Sequence, residues 1–213
     1  MNLKQFAHSE YKQYCKAEGS QHIVSEFALF HILNLVKKYG FKRILEVGVG
    51  IGTISGSLIK FSKEKGFDIE FIGTEANDFC LSQIPKNLGE NFSKMNLYPE
   101  VSALSSKKKY DLIIVDGSEQ NLKEIKRKMV PGGIVVIEGD RKDQVEIIKQ
   151  IFPKLKYAHL ISLNKNGEYS VKKSGDFQGG LKVIFTSPTG KQFLHWIRIR
   201  ASTAARFQIR KFL

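Results

Sequence analysis

The sequence lacks the features of disulfide-bonded secreted proteins, of proteins with a structural zinc site and of membrane-spanning proteins. Only two of its 213 residues are cysteine, Cys15 and Cys80, and they are too far apart in the chain to suggest a disulfide framework or a zinc site. Its apolar runs, such as 134–137, fall well short of the roughly 20 residues of a spanning helix. The N-terminus carries an early acid and no apolar run of the signal-peptide kind. We therefore expect a chain of the reducing cytoplasm.

Acidic residues are scarce, with 21 Asp and Glu against 34 Lys and Arg, which gives a formal net charge of +13. Residues 190–213 hold no acid and six cations, and form a basic aromatic tail. This charge favours an anionic partner, such as nucleic acid, an acidic membrane surface or an acidic substrate. On a helical wheel Arg200 and Lys211 fall beside Phe193 and Phe207, which does not indicate a clean membrane-lying helix. Peripheral contact with the inner membrane surface, contact with RNA and a subunit contact in a homodimer all stay open.

From residue 20 onwards, helix-like and strand-like segments alternate. The predicted strands are 43–47, 69–73, 98–104, 111–115, 134–137, 157–162 and 181–186. One predicted helix ends near residue 39, and the other four span 53–65, 78–88, 119–129 and 144–152. Residues 131–133 are expected to form a turn. The pattern predicts an α/β, Rossmann-like, doubly wound and mostly parallel seven-stranded sheet with an antiparallel last strand and helices on both faces. We expect a helical segment over the site at 1–40, a core at 41–189 and the tail at 190–213.

A glycine-rich loop follows the first predicted strand, with glycine at every second position, Gly48, Gly50 and Gly52. Glycines here let the backbone turn tightly and approach a ligand, and the helix that opens at Thr53 points its free N–H groups at the same place. A dinucleotide fingerprint would need glycine at position 53, and no nucleoside-triphosphate loop is present. The acid Glu46 would sit badly beside a pyrophosphate. The loop therefore favours a nucleotide-type ligand that is cationic at its reactive end.

Three carboxylates follow neighbouring predicted strands: Asp116, Glu138 and Asp140. The carboxyl ends of parallel strands form the ligand-binding edge of an α/β sheet, so we expect these groups near the glycine loop. Oxygen ligands of this kind suit Mg²⁺, and a carboxylate can also take a proton from a hydroxyl group. Each also has a structural interpretation, since Asp116 can satisfy a turn and Glu138 can pair with Arg141 or Lys142.

Four ordered motifs resemble those of class I S-adenosylmethionine-dependent methyltransferases, over roughly residues 20–187. They are the loop 46–52, the acid motif 73–77 with Glu75, the strand and turn 110–117 that end at Asp116 and Gly117, and the segment 130–138. The resemblance is greatest to small-molecule O-methyltransferases of the catechol and sugar-modifying type. Such relatives often place a histidine after the Asp-Gly pair and an Asp-Asp or Asp-Asn pair after the fifth strand, where a divalent metal binds. This chain has Ser118 and Glu138-Gly139-Asp140 there.

The resemblance implies a binding role for each motif. The loop residues would hold the methionyl part of S-adenosylmethionine, Glu75 would accept hydrogen bonds from the ribose hydroxyls, and Asp116 would face the transferred methyl group. Ser102 and Ala103 would lie near the adenine. A Mg²⁺ ion held by Asp116 and Asp140 is one alternative beside a metal-free site. The implied cofactor-binding residues are Glu46, Gly48, Val49, Gly50, Gly52, Thr53, Glu75, Ala76, Ser102, Ala103 and Asp116.

These expectations lead to three functional hypotheses. The first is a methyltransferase that acts on a hydroxyl group of a small molecule or glycan precursor, with Asp116, Asp140 and Glu138 as catalytic candidates. The second is an RNA methyltransferase that uses the basic surface, and the third is a catalytically silent cofactor-binding or interaction module. Among the histidines we single out His22, because it precedes the first predicted helix, where acceptor-binding segments commonly fold over the site.

Overall fold

The computed structural model describes residues 1–213 and contains seven strands and seven α-helices. The strands are β1 (Arg43–Val47), β2 (Glu70–Thr74), β3 (Met95–Tyr98), β4 (Tyr110–Val115), β5 (Met129–Glu138), β6 (Lys156–Leu160) and β7 (Leu181–Phe185). The helices are α1 (Leu3–Tyr14), α2 (Glu26–Tyr39), α3 (Thr53–Lys65), α4 (Asp78–Leu88), α5 (Ile125–Lys128), α6 (Lys142–Ile151) and α7 (Gly190–Arg210). Most predicted elements are confirmed to within two residues.

The strands form one sheet in the order β3-β2-β1-β4-β5-β7-β6. The first five strands pair in parallel, and β7 pairs antiparallel with both β5 and β6. This arrangement confirms the predicted mostly parallel seven-stranded sheet with an antiparallel last strand. The order reverses direction between β1 and β4, so the loops after these two strands border one crevice, the usual ligand position in an open α/β sheet.

Apolar side chains cover both faces of the sheet, as predicted. One face packs against α1, α2, α3 and α4 in a cluster of 34 buried residues, and the other packs against α5 and α6 in a cluster of 16. Strand residues alternate between the two clusters: Ile44 belongs to the larger one, and Leu45 and Val47 to the smaller. The larger cluster includes α1, which the sequence pattern had not resolved as a separate helix.

Three predicted elements are wrong. In place of the predicted strand 98–104, β3 spans Met95–Tyr98 and ends there because Pro99 has no N–H to donate to a neighbouring strand. Residues Val101–Ala103 form a 3₁₀ turn. The predicted helix 119–129 is shortened to a 3₁₀ turn at Leu122–Glu124 followed by α5. The Glu119 carboxylate accepts hydrogen bonds from the backbone N–H groups of Val101 and Asn121, which keeps its own segment in a loop. The predicted turn 131–133 is an irregularity inside β5, where Met129 pairs with Tyr110 but Ile134 pairs with Leu112.

The N-terminal segment and the tail both pack against the core. Between α1 and α2 the chain crosses the carboxyl edge of the sheet, where the His22 carbonyl lies against Gly50. The tail folds into the 21-residue helix α7, which packs along the edge strand β6. No helix combines the length and the apolar character needed to cross a bilayer. The boundaries 1–40, 41–189 and 190–213 remain predictions.

Candidate active site

The glycine loop makes the tight turn that its sequence predicts. Gly48, Gly50 and Gly52 have φ angles of 82°, 58° and 94°, in the left-handed region that other residues rarely adopt. A Cβ atom at Gly48 would overlap the Gly117 backbone, and one at Gly50 would overlap the His22 carbonyl oxygen. The loop therefore needs glycine both for its backbone conformation and for close approach to two other segments.

Glu75 lies beside this loop, at the end of β2, and backbone amides fix its carboxylate. Gly50 donates its N–H to Glu75 Oε2 at 2.8 Å, while Ala76 and Asn77 donate to Oε1 at 3.0 and 2.9 Å. Three amide donors hold the carboxylate in one orientation and leave part of its acceptor capacity free. The remaining acceptor site, on Oε2, is suited to accept a hydrogen bond from a ligand hydroxyl group.

Glu46 lies behind the loop and has no hydrogen-bond partner for either carboxylate oxygen, although it is fully buried. Burial raises the pKa of Glu46 well above its ordinary value, and the carboxylates of Asp116 and Glu75 raise it further. The hydroxyl groups of Thr53 and Ser55, at the start of α3, are also buried without a partner. Buried polar groups normally have partners, so this unpaired set beneath the loop is unusual.

Asp116 follows β4, and its side chain lies between Glu138 and Arg141. Arg141 Nη2 lies 3.5 Å from Asp116 Oδ1 and also donates to the Asp116 carbonyl. Burial and the Glu138 carboxylate raise the pKa of Asp116, and the guanidinium of Arg141 partly opposes this rise. Asp116 and Glu138 both line the same pocket. The pair is thus suited to accept a proton at the mouth of the crevice.

The third candidate, Asp140, lies apart from this pair. Its side chain is 77% exposed and points to Lys142, whose Nζ lies 3.9 Å away. Arg141 takes the place beside Asp116 where a metal ion would need a further oxygen ligand, and no group of three or more His, Cys, Asp or Glu side chains is arranged to hold a metal. The residues present do not fit the Mg²⁺ site considered for Asp116 and Asp140.

These residues border a pocket of about 520 Å³ at the carboxyl edge of the sheet. Its acidic side chains are Glu75, Asp116, Glu119 and Glu138, against the cations of Arg141 and Lys172. The pocket therefore has an acidic lining within a chain whose net charge is +13. An acidic lining disfavours a pyrophosphate and favours a ligand that carries positive charge.

The predicted cofactor residues divide into three groups. Those that line the pocket are Gly48, Gly50, Glu75, Ala76 and Asp116. Those buried in or beneath the loop, outside the lining, are Glu46, Val49, Gly52 and Thr53. Ser102 and Ala103 are exposed in the 3₁₀ turn and do not line the pocket, because the chain leaves the sheet at Pro99, which does line it. His22, the one histidine singled out from the sequence, lines the pocket.

The structure adds lining residues that the sequence pattern did not predict. Arg141, expected as a partner for Glu138, contacts Asp116 instead, while Glu138 accepts the Ser25 amide at 3.3 Å. Lys172 belongs to the long loop between β6 and β7, which folds back onto α1 and α2 through hydrogen bonds from Tyr169 to Glu26 and between Ser170 and Tyr11. No local pattern marks these positions, since tertiary packing alone brings them to the pocket.

Comparison with known proteins gives matches at the level of structure. No family model matches the chain, and no curated protein matches its sequence. An O-methyltransferase from Bacillus cereus, solved in complex with S-adenosylhomocysteine (SAH), has a TM-score of 0.58 at 14% identity over 85% of this chain and 90% of its own. The chain has the class I methyltransferase fold.

Other structures with this fold have names that point to different substrates. A proposed RNA methyltransferase from Pyrococcus horikoshii has a TM-score of 0.60 at 14% identity, with 89% of this chain and 99% of its own covered. The precorrin-6y C5,15-methyltransferase from Geobacter metallireducens has a TM-score of 0.53 at 16% identity, with 74% and 87% covered. These identities establish the fold, and the ligand and reaction have to be argued from this chain's own residues.

Proposed function

We propose that the protein is an S-adenosylmethionine-dependent methyltransferase. The observation that carries this proposal is the Glu75 carboxylate, which three backbone amides hold beside the glycine loop within an acidic pocket. Its remaining acceptor site on Oε2 suits a ribose hydroxyl, whereas the surrounding acids disfavour the pyrophosphate of a dinucleotide. The acidic lining of the pocket favours a ligand with a cationic end, and S-adenosylmethionine carries both a sulfonium and an ammonium group.

For the acceptor we propose a hydroxyl group on a small molecule or glycan precursor. S-adenosylmethionine supplies a methyl group that its sulfonium already activates, so the protein has to align the acceptor, exclude water and take up one proton. The Asp116 and Glu138 pair takes that proton from the hydroxyl, and the raised pKa of Asp116 brings its proton affinity closer to neutral pH. Arg141 positions Asp116, and His22 closes the pocket from the N-terminal segment.

The test is transfer of a labelled methyl group from S-adenosylmethionine to a panel of catechols and hydroxylated sugars. Asp116→Asn removes the proton acceptor with little change in shape, and we expect it to lower turnover about 100-fold or more while cofactor affinity stays within a few-fold. Asp140→Asn is the matched control, because its exposed side chain lies outside the pocket and its loss should leave turnover unchanged. Equal effects of the two substitutions would contradict the assignment.

RNA is the second candidate acceptor, favoured by the net charge of +13 and by the likeness to the Pyrococcus horikoshii protein. The same assay with RNA separates the two proposals. If phosphate contacts position the acceptor, RNA affinity falls steeply as salt rises, whereas affinity for an uncharged small acceptor does not. The cytoplasmic location remains a prediction from the cysteine content.

A further inference from the structure

Helix α7 has two opposite faces with different surroundings, and the inner face packs against β6 and the residues just after it. Along this face four side chains donate to backbone carbonyls of β6 and the residues just after it. The pairs are Trp196 to Tyr157 at 2.8 Å, Thr203 to His159 at 2.6 Å, Arg206 to Ile161 at 2.8 Å and Arg210 to Ser162 at 2.7 Å. These bonds satisfy carbonyls that an edge strand would otherwise present to water or to another chain.

The outer face is uncharged, mostly apolar and exposed. Its residues follow the helical spacing of three and four and include no charged side chain: Leu194, Ile197, Ala201, Ala204, Ala205 and Gln208. We call this set the outer stripe. Leu194 is 59% exposed and Ile197 44%, and Phe193 and Phe207 lie along its border with 40% and 48% exposed. The helical wheel shows no single apolar face because apolar residues lie both on this stripe and on the opposite face, where Trp196 and Ile199 pack against the core.

Cations border the outer stripe on both sides. Lys191 and Arg198 lie along one side, Arg200 and Lys211 along the other, and all four are exposed. None of them forms an ion pair, since the eight ion pairs of the molecule all lie elsewhere. Two cations of the body lie beside these borders. Burial lowers the pKa of Lys38, and the nearby charges of Arg198 and Lys191 lower it further, while Lys156 lies over the rings of Phe193 and Trp196. Unpaired cations gathered in this way favour a negatively charged partner.

We propose that the outer stripe of α7 binds the surface of an anionic lipid bilayer, with the helix lying in the plane of the headgroups. The stripe supplies apolar side chains for the headgroup and acyl boundary, and the flanking cations meet the lipid phosphates and carboxylates. A second copy of the chain fits less well, because pairing two such faces would bring unpaired cations together. RNA also fits less well, since the centre of the stripe is aliphatic and offers no aromatic rings for stacking.

The test measures binding of the full chain to vesicles of phosphatidylcholine with phosphatidylserine, and to vesicles of phosphatidylcholine alone. We expect binding only to the anionic vesicles, and expect it to weaken as salt is raised. Lys191→Ala with Arg198→Ala should lower vesicle affinity about 30-fold, since each cation near the surface contributes roughly fivefold. Leu194→Gln with Ile197→Gln keeps the charge and should lower affinity about tenfold or more through the lost apolar contact.

The control removes the same charge elsewhere, with Lys123→Ala and Lys126→Ala, two exposed positions distant in sequence from α7. Vesicle affinity should change less than twofold with this control. Binding independent of phosphatidylserine, or equal losses in the control and the Lys191 and Arg198 variant, would overturn the proposal. A wild-type dimer that the Leu194 and Ile197 variant dissociates, or RNA binding without vesicle binding, would also overturn it. Titration of SAH against the same variants tests the proposed enzymatic function separately, and its failure would leave the vesicle result intact.

Discussion

A substitution at Gly50 tests whether the close approach of the glycine loop to the N-terminal segment builds the ligand site. Two costs are expected in Gly50→Ala. The residue has a φ of 58°, and a left-handed conformation costs a residue with a Cβ about 1–2 kcal/mol. The new Cβ would also overlap the His22 carbonyl oxygen, so the segment over the pocket has to move. Overlap of this kind in a packed region costs a further 1–3 kcal/mol or so.

Gly66→Ala is the matched control, because it carries the first cost without the second. Gly66 has a φ of 67°, and a Cβ there would meet nothing within 4 Å. We expect this control to lose about 1–2 kcal/mol of unfolding free energy, or about 2–8 °C in Tm, with unchanged affinity for SAH. Gly50→Ala should lose more stability and at least about tenfold in SAH affinity, since His22 and the Gly50 amide both border the pocket.

The assay combines urea unfolding with calorimetric titration of SAH on the two variants. The difference between them isolates the contact with the His22 carbonyl, because the backbone cost is common to both. If Gly50→Ala binds SAH as tightly as Gly66→Ala does, the close approach plays no part in the site. The interpretation of the glycine loop would then be wrong, whatever the two stabilities turn out to be.

Three further predictions concern side chains. Folded Glu46 has a raised pKa, so it retains a proton that the unfolded chain releases above a pH of about 4.5. The free energy of unfolding should therefore fall as pH rises above that value, and it should fall less steeply in Glu46→Gln. Urea unfolding at several pH values measures this difference. Arg141→Met removes the charge that opposes the rise in the Asp116 pKa, so the acidic limb of the kcat/KM profile should shift to higher pH; an unmoved limb would contradict the positioning role. Thr203→Val leaves the His159 carbonyl without its donor and should cost about 1 kcal/mol in urea unfolding, whereas Ser202→Ala, at an exposed position, should cost nothing measurable.

The sequence was enough to predict the sheet and the glycine loop, because both depend on local patterns. Short apolar runs alternate with amphipathic segments, and the spacing of Gly48, Gly50 and Gly52 after a strand requires a tight turn. The position of Glu75 follows from the same logic, since it ends the next strand along the chain. These features need no knowledge of distant contacts, and all of them are present in the structure.

Other parts of the site could not be predicted, because distant segments determine them. Lys172 reaches the pocket only because its loop folds onto α1 and α2, and Arg141 takes its place beside Asp116 through the packing of β4 and β5. The 3₁₀ turn that carries Ser102 depends on Pro99, because β3 ends at Tyr98, six residues before the predicted end of the strand at Leu104. The packing of the tail could not be predicted for another reason. Helix α7 carries apolar residues on two opposite faces, so its hydrophobic periodicity does not identify a single buried face.

The central claim is that the pocket binds an adenosyl ligand with a cationic end and does not bind a dinucleotide. Calorimetric titration with SAH and with NAD⁺, on the wild type and on Glu75→Gln, tests it most directly. We predict micromolar SAH binding by the wild type, at least tenfold weaker binding by Glu75→Gln, and no measurable binding of NAD⁺. Tighter binding of NAD⁺ than of SAH, or SAH binding that ignores the loss of the Glu75 carboxylate, would contradict the account.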